Sequence, residues 1–397
     1  MQTQTQTQKI TSALPVTKPR LDFIDNLRWV MIVLVVSMHA AVTYSHLGSW
    51  YFMEDPKPDQ VTMLFFAYYQ MGLQAFFMGF LFLIAGYFVP RAFERKGSGT
   101  FLRDRVVRLG IPSLFYMLVV HPFTVYWLLH DYYKISASPW AAYLQFLRTF
   151  RWVGSSGPMW FAVALLIFCA VYALIRMAES RRTADELADE PEAPLPTHAQ
   201  VVGMVLLMGL CSFLVRIVQP MGTNILNMQL SFFSQYILLF TVGIIAWRRN
   251  WLLRIPYAFG MRWFKLALMG GSLLWIAVLG SIVATHSEKN INGGLNWQSA
   301  GICFWEAFFC VGICLGLTVL FREKFNGQGA FAKWMSDNNF AVYMFHPPVL
   351  VAVTLGMQSF GAPKPVKFLV AAVLATALTF LASNYIFRRI PLLRRVL

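Results

Sequence analysis

Two histidines and a few charged residues interrupt otherwise apolar stretches of this sequence, and ionisable groups in such stretches are costly unless they serve a function. His39 lies well inside "LDFIDNLRWVMIVLVVSMHAAV", and Arg28 stands at the entrance to the same stretch. On an α-helix the eleven steps from one to the other span about 16 Å of rise and three turns plus ~20°, so both side chains share a face. Arg28 is then expected at one membrane rim and His39 near the midplane, with Asp25 three residues before Arg28 to orient its guanidinium. A neutral imidazole at that depth can take a proton from an attacking hydroxyl. A histidine that merely bonds a neighbouring helix satisfies the same spacing. His346, in "NNFAVYMFHPPVL", is a second mid-depth imidazole, and the adjacent Pro347 and Pro348 are expected to break the helix and free backbone groups.

Other candidates lie toward the two rims. Arg105 and Arg108 form an Arg-x-x-Arg pair in "RDRVVRLGIP". Most cations in that segment are helix anchors, yet two forked guanidiniums one turn apart also suit a phosphate-bearing ligand. Glu306, in "CFWEAFFCVG", is the one carboxylate deep in the later apolar stretches, roughly 10 Å from their outer end. His121, in "VVHPF", is expected to be structural or rim-facing. Taken by depth, the set outlines a path of cations, then imidazoles, then a carboxylate. Two function classes fit it. One is a transferase whose anionic donor docks from one side while its acceptor enters from the other. The alternative is a proton-coupled carrier of a small anionic or sugar-like solute. The two halves of the chain show no convincing internal repeat, which favours the carrier less.

These residues need a membrane scaffold to position them. Of 397 residues, 57% are hydrophobic and 13% charged, about half the charged share of a soluble protein, ~25%. Apolar runs of spanning length, about 20 residues each, fall at 27–47, 61–89, 109–129, 158–178, 200–219, 229–247, 263–284, 299–321, 336–358 and 365–387. The expected fold is all-α and polytopic, about ten transmembrane helices with both termini cytoplasmic. Of the 33 Lys and Arg residues, that topology puts seven outside and Arg216 within a span, so the net charge of +15 reflects membrane orientation and calls for no nucleic acid. Residues 1–20 read as a disordered cytoplasmic leader and 21–397 as one transmembrane domain, with a flexible cytoplasmic loop over 179–198. Ser138 to Trp152 is expected to lie along the outer interface. The five cysteines fall inside apolar spans as packing residues, and their spacing suggests no metal site.

The Arg-x10-His arrangement of the first span, "FFMGFLFLIAGYF" in the second, "RDRVVRLGIP" entering the third, "GPMWFAVALLIF" in the fourth and "FAVYMFHPPVLV" in the ninth resemble acyltransferase family 3, integral-membrane transferases. The closing "RRIPLLRRVL" is most similar to the branch of bacterial periplasmic-glucan succinyltransferases. One position departs: Ala85 stands where the family's Phe-x-Ile-Ser-Gly-Tyr motif has serine. The resemblance implies a multi-pass protein of the bacterial cytoplasmic membrane that moves an acyl group from cytoplasmic acyl-CoA, used as donor substrate with no permanently bound cofactor. The acceptor it implies is a hydroxyl of a carbohydrate or small molecule at the outer face. It casts His39 as the essential histidine, His346 as its ninth-span counterpart, and Arg28, Arg105 and Arg108 as donor-binding residues. Glu306 matches more loosely as a catalytic group. Tyr87, Trp160 and backbone near Pro347 are candidate pocket groups to receive the oxyanion.

Overall fold

The computed structural model describes residues 21–179 and 194–390. The leader, most of the 179–198 connection and the last seven residues lie outside the described residues. Among the described residues every regular element is helical, and the only strand-like pairing is an isolated bridge between Ile225 and Met228. Ten helices are long and apolar enough to cross a membrane. They are α1 (Asp22–Ser45), α2 (Gln60–Lys96), α3 (Ser98–Leu128), α4 (Gly157–Glu179) and α5 (His198–Val218), then α6 (Leu230–Arg248), α7 (Tyr257–Ala284), α8 (Trp297–Lys324), α9 (Ala330–Gly356) and α10 (Lys364–Arg389). The sequence-expected spans correspond to these one for one.

Burial separates the centre of the bundle from its rim. The apolar windows of α2 and α8 are each 78% buried, against 28% for α5 and 22% for α7, so α2 and α8 form the middle and α5 and α7 face outward. Helix α1 packs on α2, α8, α9 and α10, which places His39 in the interior. Between α2 and α6 the backbones touch: a Cβ on Gly86 would meet the Phe240 carbonyl oxygen at 2.2 Å, and one on Gly243 the Leu83 carbonyl oxygen at 2.1 Å. Only glycine permits that approach, the usual device for close helix pairing in lipid. The Gly86 beside Ala85 is therefore a packing requirement.

Two proline-bearing spans behave differently from each other. In α3, π-helical turns at Val106–Gly110 and Tyr116–Val120 run into Pro112 and Pro122, with Ile111 N–H reaching back to Val106 O and His121 N–H to Tyr116 O. Proline lacks the N–H and crowds the carbonyl four residues back, so the widened turn carries the chain past it. In α9 the expected break does not occur, and the helix runs unbroken through Pro347 and Pro348. The carbonyl that Pro347 leaves without a backbone donor, Tyr343 O, is bonded by Nδ1 of His346 at 2.8 Å. Backbone is freed as expected, Tyr343 O by Pro347 and Met344 O by Pro348, but the helix does not break, and a side chain of the same helix takes the first of these oxygens.

The ends of the described helices and the described loops sort onto two faces. One carries Arg28, Arg105 and Arg108 and is called the arginine face below. The opposite face carries the 46–59 loop, the 129–156 segment and the α5–α6 connection. A short helix, Pro139–Arg148, capped by Ser138 Oγ accepting from Ala141 N at 3.3 Å, lies on that opposite face. It turns buried Ala142 and Phe146 inward and leaves Trp140 exposed. It is shorter than the 138–152 segment expected to lie along the interface, and its inner side forms the wall of a cavity.

Candidate active site

His39 and His346 meet at the heart of the bundle although 307 residues separate them, His39 Nδ1 lying 2.9 Å from His346 Nε2. The protonation pattern follows from their partners. A carbonyl only accepts, so the 2.8 Å contact with Tyr343 O requires the hydrogen of neutral His346 on Nδ1. Its Nε2 is then an acceptor, and the hydrogen between the rings belongs to His39 Nδ1. That leaves Nε2 of His39 with a lone pair and, among the described residues, no hydrogen bond. His346 is fully buried, while His39 lines a cavity of about 990 Å³, at the upper end of the ~300–1,000 Å³ usual for small-molecule sites.

That cavity opens among the loops opposite the arginine face. Its floor is formed by Val35, Met38 and His39 of α1 with Gln74, Phe77 and Met78 of α2, and its mouth by Gly48–Tyr51, Tyr133–Ala137, Arg151, Gly154 and Ser155. Trp50 reaches in from the 46–59 loop and stacks on His39, ring centroids 3.9 Å apart and planes 11° apart. Its indole Nε1 is buried without a partner. The loop is clamped at several points. Lys367 Nζ bonds the Glu54 carboxylate at 3.0 Å, Lys364 Nζ bonds Glu54 O at 2.5 Å, and Tyr133 donates to Tyr51 O at 2.6 Å.

A second polar cluster lines the same cavity. Tyr51 Oη lies 2.9 Å from Tyr116 Oη and 2.8 Å from His121 Nδ1. Burial pushes the Tyr51 hydroxyl above its ordinary value, despite the bond from Tyr116, so it stays protonated. Fully buried Tyr116 has Tyr51 as its one side-chain partner, and it must donate there to avoid an unsatisfied hydroxyl hydrogen. Tyr51 in turn donates to His121 Nδ1, which fixes the remaining hydrogen of neutral His121 on Nε2. The sequence suggests a structural or rim-facing His121; in the fold it is a wall residue of the cavity.

The remaining candidates are distributed as follows. Trp160 lines the cavity, stacked on Tyr236 at 5.6 Å. Tyr87 does not; it is buried beside the Gly86–Gly243 crossing. Glu306 is also outside the cavity wall and pairs with Arg216 at 2.5 Å, the two side chains 10% and 1% exposed. Arg216 further donates to Ser231 O and lies over the Phe232 ring. Arg28 bonds Asp25 at 3.1 Å, as the spacing suggested, and lies over Phe88 at 4.6 Å. Arg105 is half-buried over Phe101, whereas Arg108 is exposed. The π turn that begins at Val106 intervenes between them, so the simple one-turn pairing does not carry over. None of the three arginines lines the cavity.

Trp50, Tyr51 and Tyr236 were not identified from the sequence. The available signal was the aromatic pair "WY" in a short loop directly after the histidine-bearing span. A lone cation and a lone carboxylate in separate spans, Arg216 and Glu306, likewise signalled a pair.

A helical membrane bundle in which a buried histidine dyad presents one of its imidazoles, His39, to a cavity is the class of protein that fold and site define. The profile of a family described as an acyltransferase domain, acyltransferase family 3, matches residues 21–387. The chain belongs to that family, and a membrane acyltransferase activity in the general sense follows from membership. No match was found among curated proteins or among solved structures.

Proposed function

We propose that the chain transfers an acyl group from cytoplasmic acyl-CoA to a hydroxyl of a carbohydrate or other envelope acceptor on the opposite side of the bacterial cytoplasmic membrane. The observation that carries this reading is the dyad: His39 Nδ1 at 2.9 Å from His346 Nε2, with His346 anchored on Tyr343 O, which leaves His39 Nε2 as an acceptor beside the cavity. The acceptor hydroxyl loses its proton to that nitrogen as its oxygen attacks the thioester carbonyl. When the tetrahedral intermediate collapses, the carbon–sulfur bond breaks and the imidazolium returns the proton to the departing CoA thiolate. Trp50 Nε1, buried beside the imidazole with no partner, and Trp160 are donors available to the developing oxyanion. Arg28, Arg105 and Arg108 receive the CoA phosphates at the arginine face; Arg28 lies eleven helical steps, about 16 Å of rise, from His39, a distance for the flexible pantetheine arm to cover. Succinyl is the acyl group favoured by the likeness of the chain's end to glucan succinyltransferases.

The test is labelled-acyl transfer by purified protein in detergent, with acetyl-CoA and succinyl-CoA in parallel. His39→Ala should lower turnover by about 10²–10⁴-fold, the usual worth of a general base, with the amount of folded protein near wild type. Turnover above a few percent of wild type would move the base elsewhere. A proton-coupled carrier has no gradient in detergent and would leave the acceptor unmodified.

A further inference from the structure

The charged groups that the described residues bring to the cavity wall are of one sign. Arg151 and Lys134 stand at its mouth, and among the described residues no aspartate or glutamate lines it. Neither side chain makes an ion pair or hydrogen bond among the described residues. The contrast with the neighbouring lysines is direct: on the same face, Lys364 and Lys367 both bond Glu54. The adjacent carboxylates do not compensate, since Asp131 is fully exposed and bonds His130 at 3.1 Å. The protonation argument adds a third donor, the His121 Nε2–H. The same wall offers Gln145 and Gln229 amides and the ring of Trp160, an aromatic face and amide hydrogen-bonding groups, which suit a sugar ring with its apolar face and hydroxyl edge.

Resting on the proposed transferase reading, we infer that the acceptor taken by this cavity is an anionic saccharide, bearing a carboxylate or phosphate ester that Arg151 and Lys134 receive at the mouth while a hydroxyl is presented to His39. Forked guanidinium and ammonium groups bind both anions through charge-assisted hydrogen bonds. A wall without carboxylates imposes no repulsion on them. A neutral saccharide would find the same rings and amides and gain nothing from the cations.

The experiment is isothermal titration calorimetry on the full-length protein in a detergent without a sugar headgroup. Three probes are used: maltotetraose, a glucuronic-acid tetrasaccharide, and maltotetraose carrying one phosphate monoester. At least one anionic probe is expected to bind about tenfold or more tighter than the neutral one, about 1.4 kcal/mol, and the difference should shrink as salt rises above 0.1 M, where the Debye length is about 10 Å. Which anionic probe binds tells carboxylate from phosphate. Arg151→Gln should reduce the preference to less than about threefold; Arg148→Gln, a neighbouring exposed arginine outside the cavity, should leave it intact. Equal binding of neutral and anionic probes, binding of none, or a preference that survives Arg151→Gln combined with Lys134→Gln overturns the inference. Acyl transfer measured on the same probes separates the two claims. Charge-selective binding without transfer sinks the transferase and spares the subsite, whereas transfer to neutral and anionic probes alike does the reverse.

Discussion

Replacing His346 tests the protonation logic of the site more sharply than replacing the base itself. In His346→Ala the hydrogen on His39 Nδ1 loses its acceptor at 2.9 Å and Tyr343 O loses its donor at 2.8 Å. Each orphaned buried group costs about 1–3 kcal/mol, and the void left by the ring adds a cavity penalty on the order of 2 kcal/mol or more. Together these are a large part of a typical stability of ~5–15 kcal/mol, so folded protein must be quantified by size-exclusion chromatography before rates are compared. In the folded fraction His39 is free to rotate and to place its N–H, instead of its lone pair, toward the cavity. A ceiling of about 10²–10⁴-fold applies to the whole base contribution, and mis-set tautomers in hydrolase triads use most of such a range. A loss near 10²-fold in kcat is expected, with KM for either substrate little changed. His346→Gln supplies an amide oxygen that can accept from His39 Nδ1 and an amide N–H for Tyr343 O, and should recover activity to within about tenfold of wild type. His346→Ala within threefold of wild type, or a folded Gln variant no better than Ala, would refute the reasoning.

Three further perturbations address other parts of the molecule. Glu306→Gln leaves the Arg216 charge buried and unmatched, which costs about 3–5 kcal/mol and should appear as lost folded protein; Arg216→Met with Glu306→Met should restore abundance and keep acyl transfer within about threefold, whereas a folded but inert double variant would place Glu306 in the chemistry. Arg105→Ala should raise KM for acyl-CoA about tenfold, the worth of a charge-assisted contact, with kcat near wild type, and an unchanged KM would remove that residue from donor binding. Lys367→Met leaves the Glu54 carboxylate, 11% exposed, without its cation and loosens the loop that holds Trp50. Transfer should fall about tenfold, in line with lost orientation, and amide hydrogen exchange should rise over residues 46–59; protection equal to wild type there would show that the clamp does not position Trp50.

How much of this was legible in the sequence depended on how local each signal was. The ten spans were, because burial in lipid requires long uninterrupted apolar runs. His39 and His346 also stood out, since an imidazole in such a run is costly unless it is bonded or serves a function. Their direct contact did not: α1 and α9 meet through tertiary packing, and no spacing rule links positions 307 residues apart. Trp50 and Tyr51 escaped notice because an aromatic pair beside a span reads equally well as an interfacial belt. The unbroken course of α9 was missed for a reason internal to the sequence. Proline's missing N–H was counted as damage to the helix, while the histidine immediately before it had the means to repair that damage. In α3, by contrast, Pro112 and Pro122 follow Ile111 and His121, and the strain there is relieved by π turns.

The choice of His346, in place of a carboxylate, as the partner of His39 follows from where the site lies. A buried carboxylate hydrogen-bonded to an imidazole fixes its tautomer and stabilises the imidazolium, but at mid-membrane depth it must itself be desolvated, a cost that only close, well-bonded counter-charges offset. In this bundle such a pair exists, Arg216 with Glu306, and it stands apart from the cavity. The dyad achieves the same tautomer selection with no formal charge, because the relay ends on Tyr343 O, a backbone carbonyl set free by Pro347. The His-Pro-Pro run is thus a single device: the proline withdraws a donor, the histidine replaces it, and the replacement determines which nitrogen of a ring on another helix is basic. Its chemical consequence is that an imidazolium formed on His39 has no counter-ion. Under the proposed transfer it would give its proton promptly to the departing thiolate, which would tie acyl transfer to CoA release and disfavour a long-lived charged intermediate inside the bilayer.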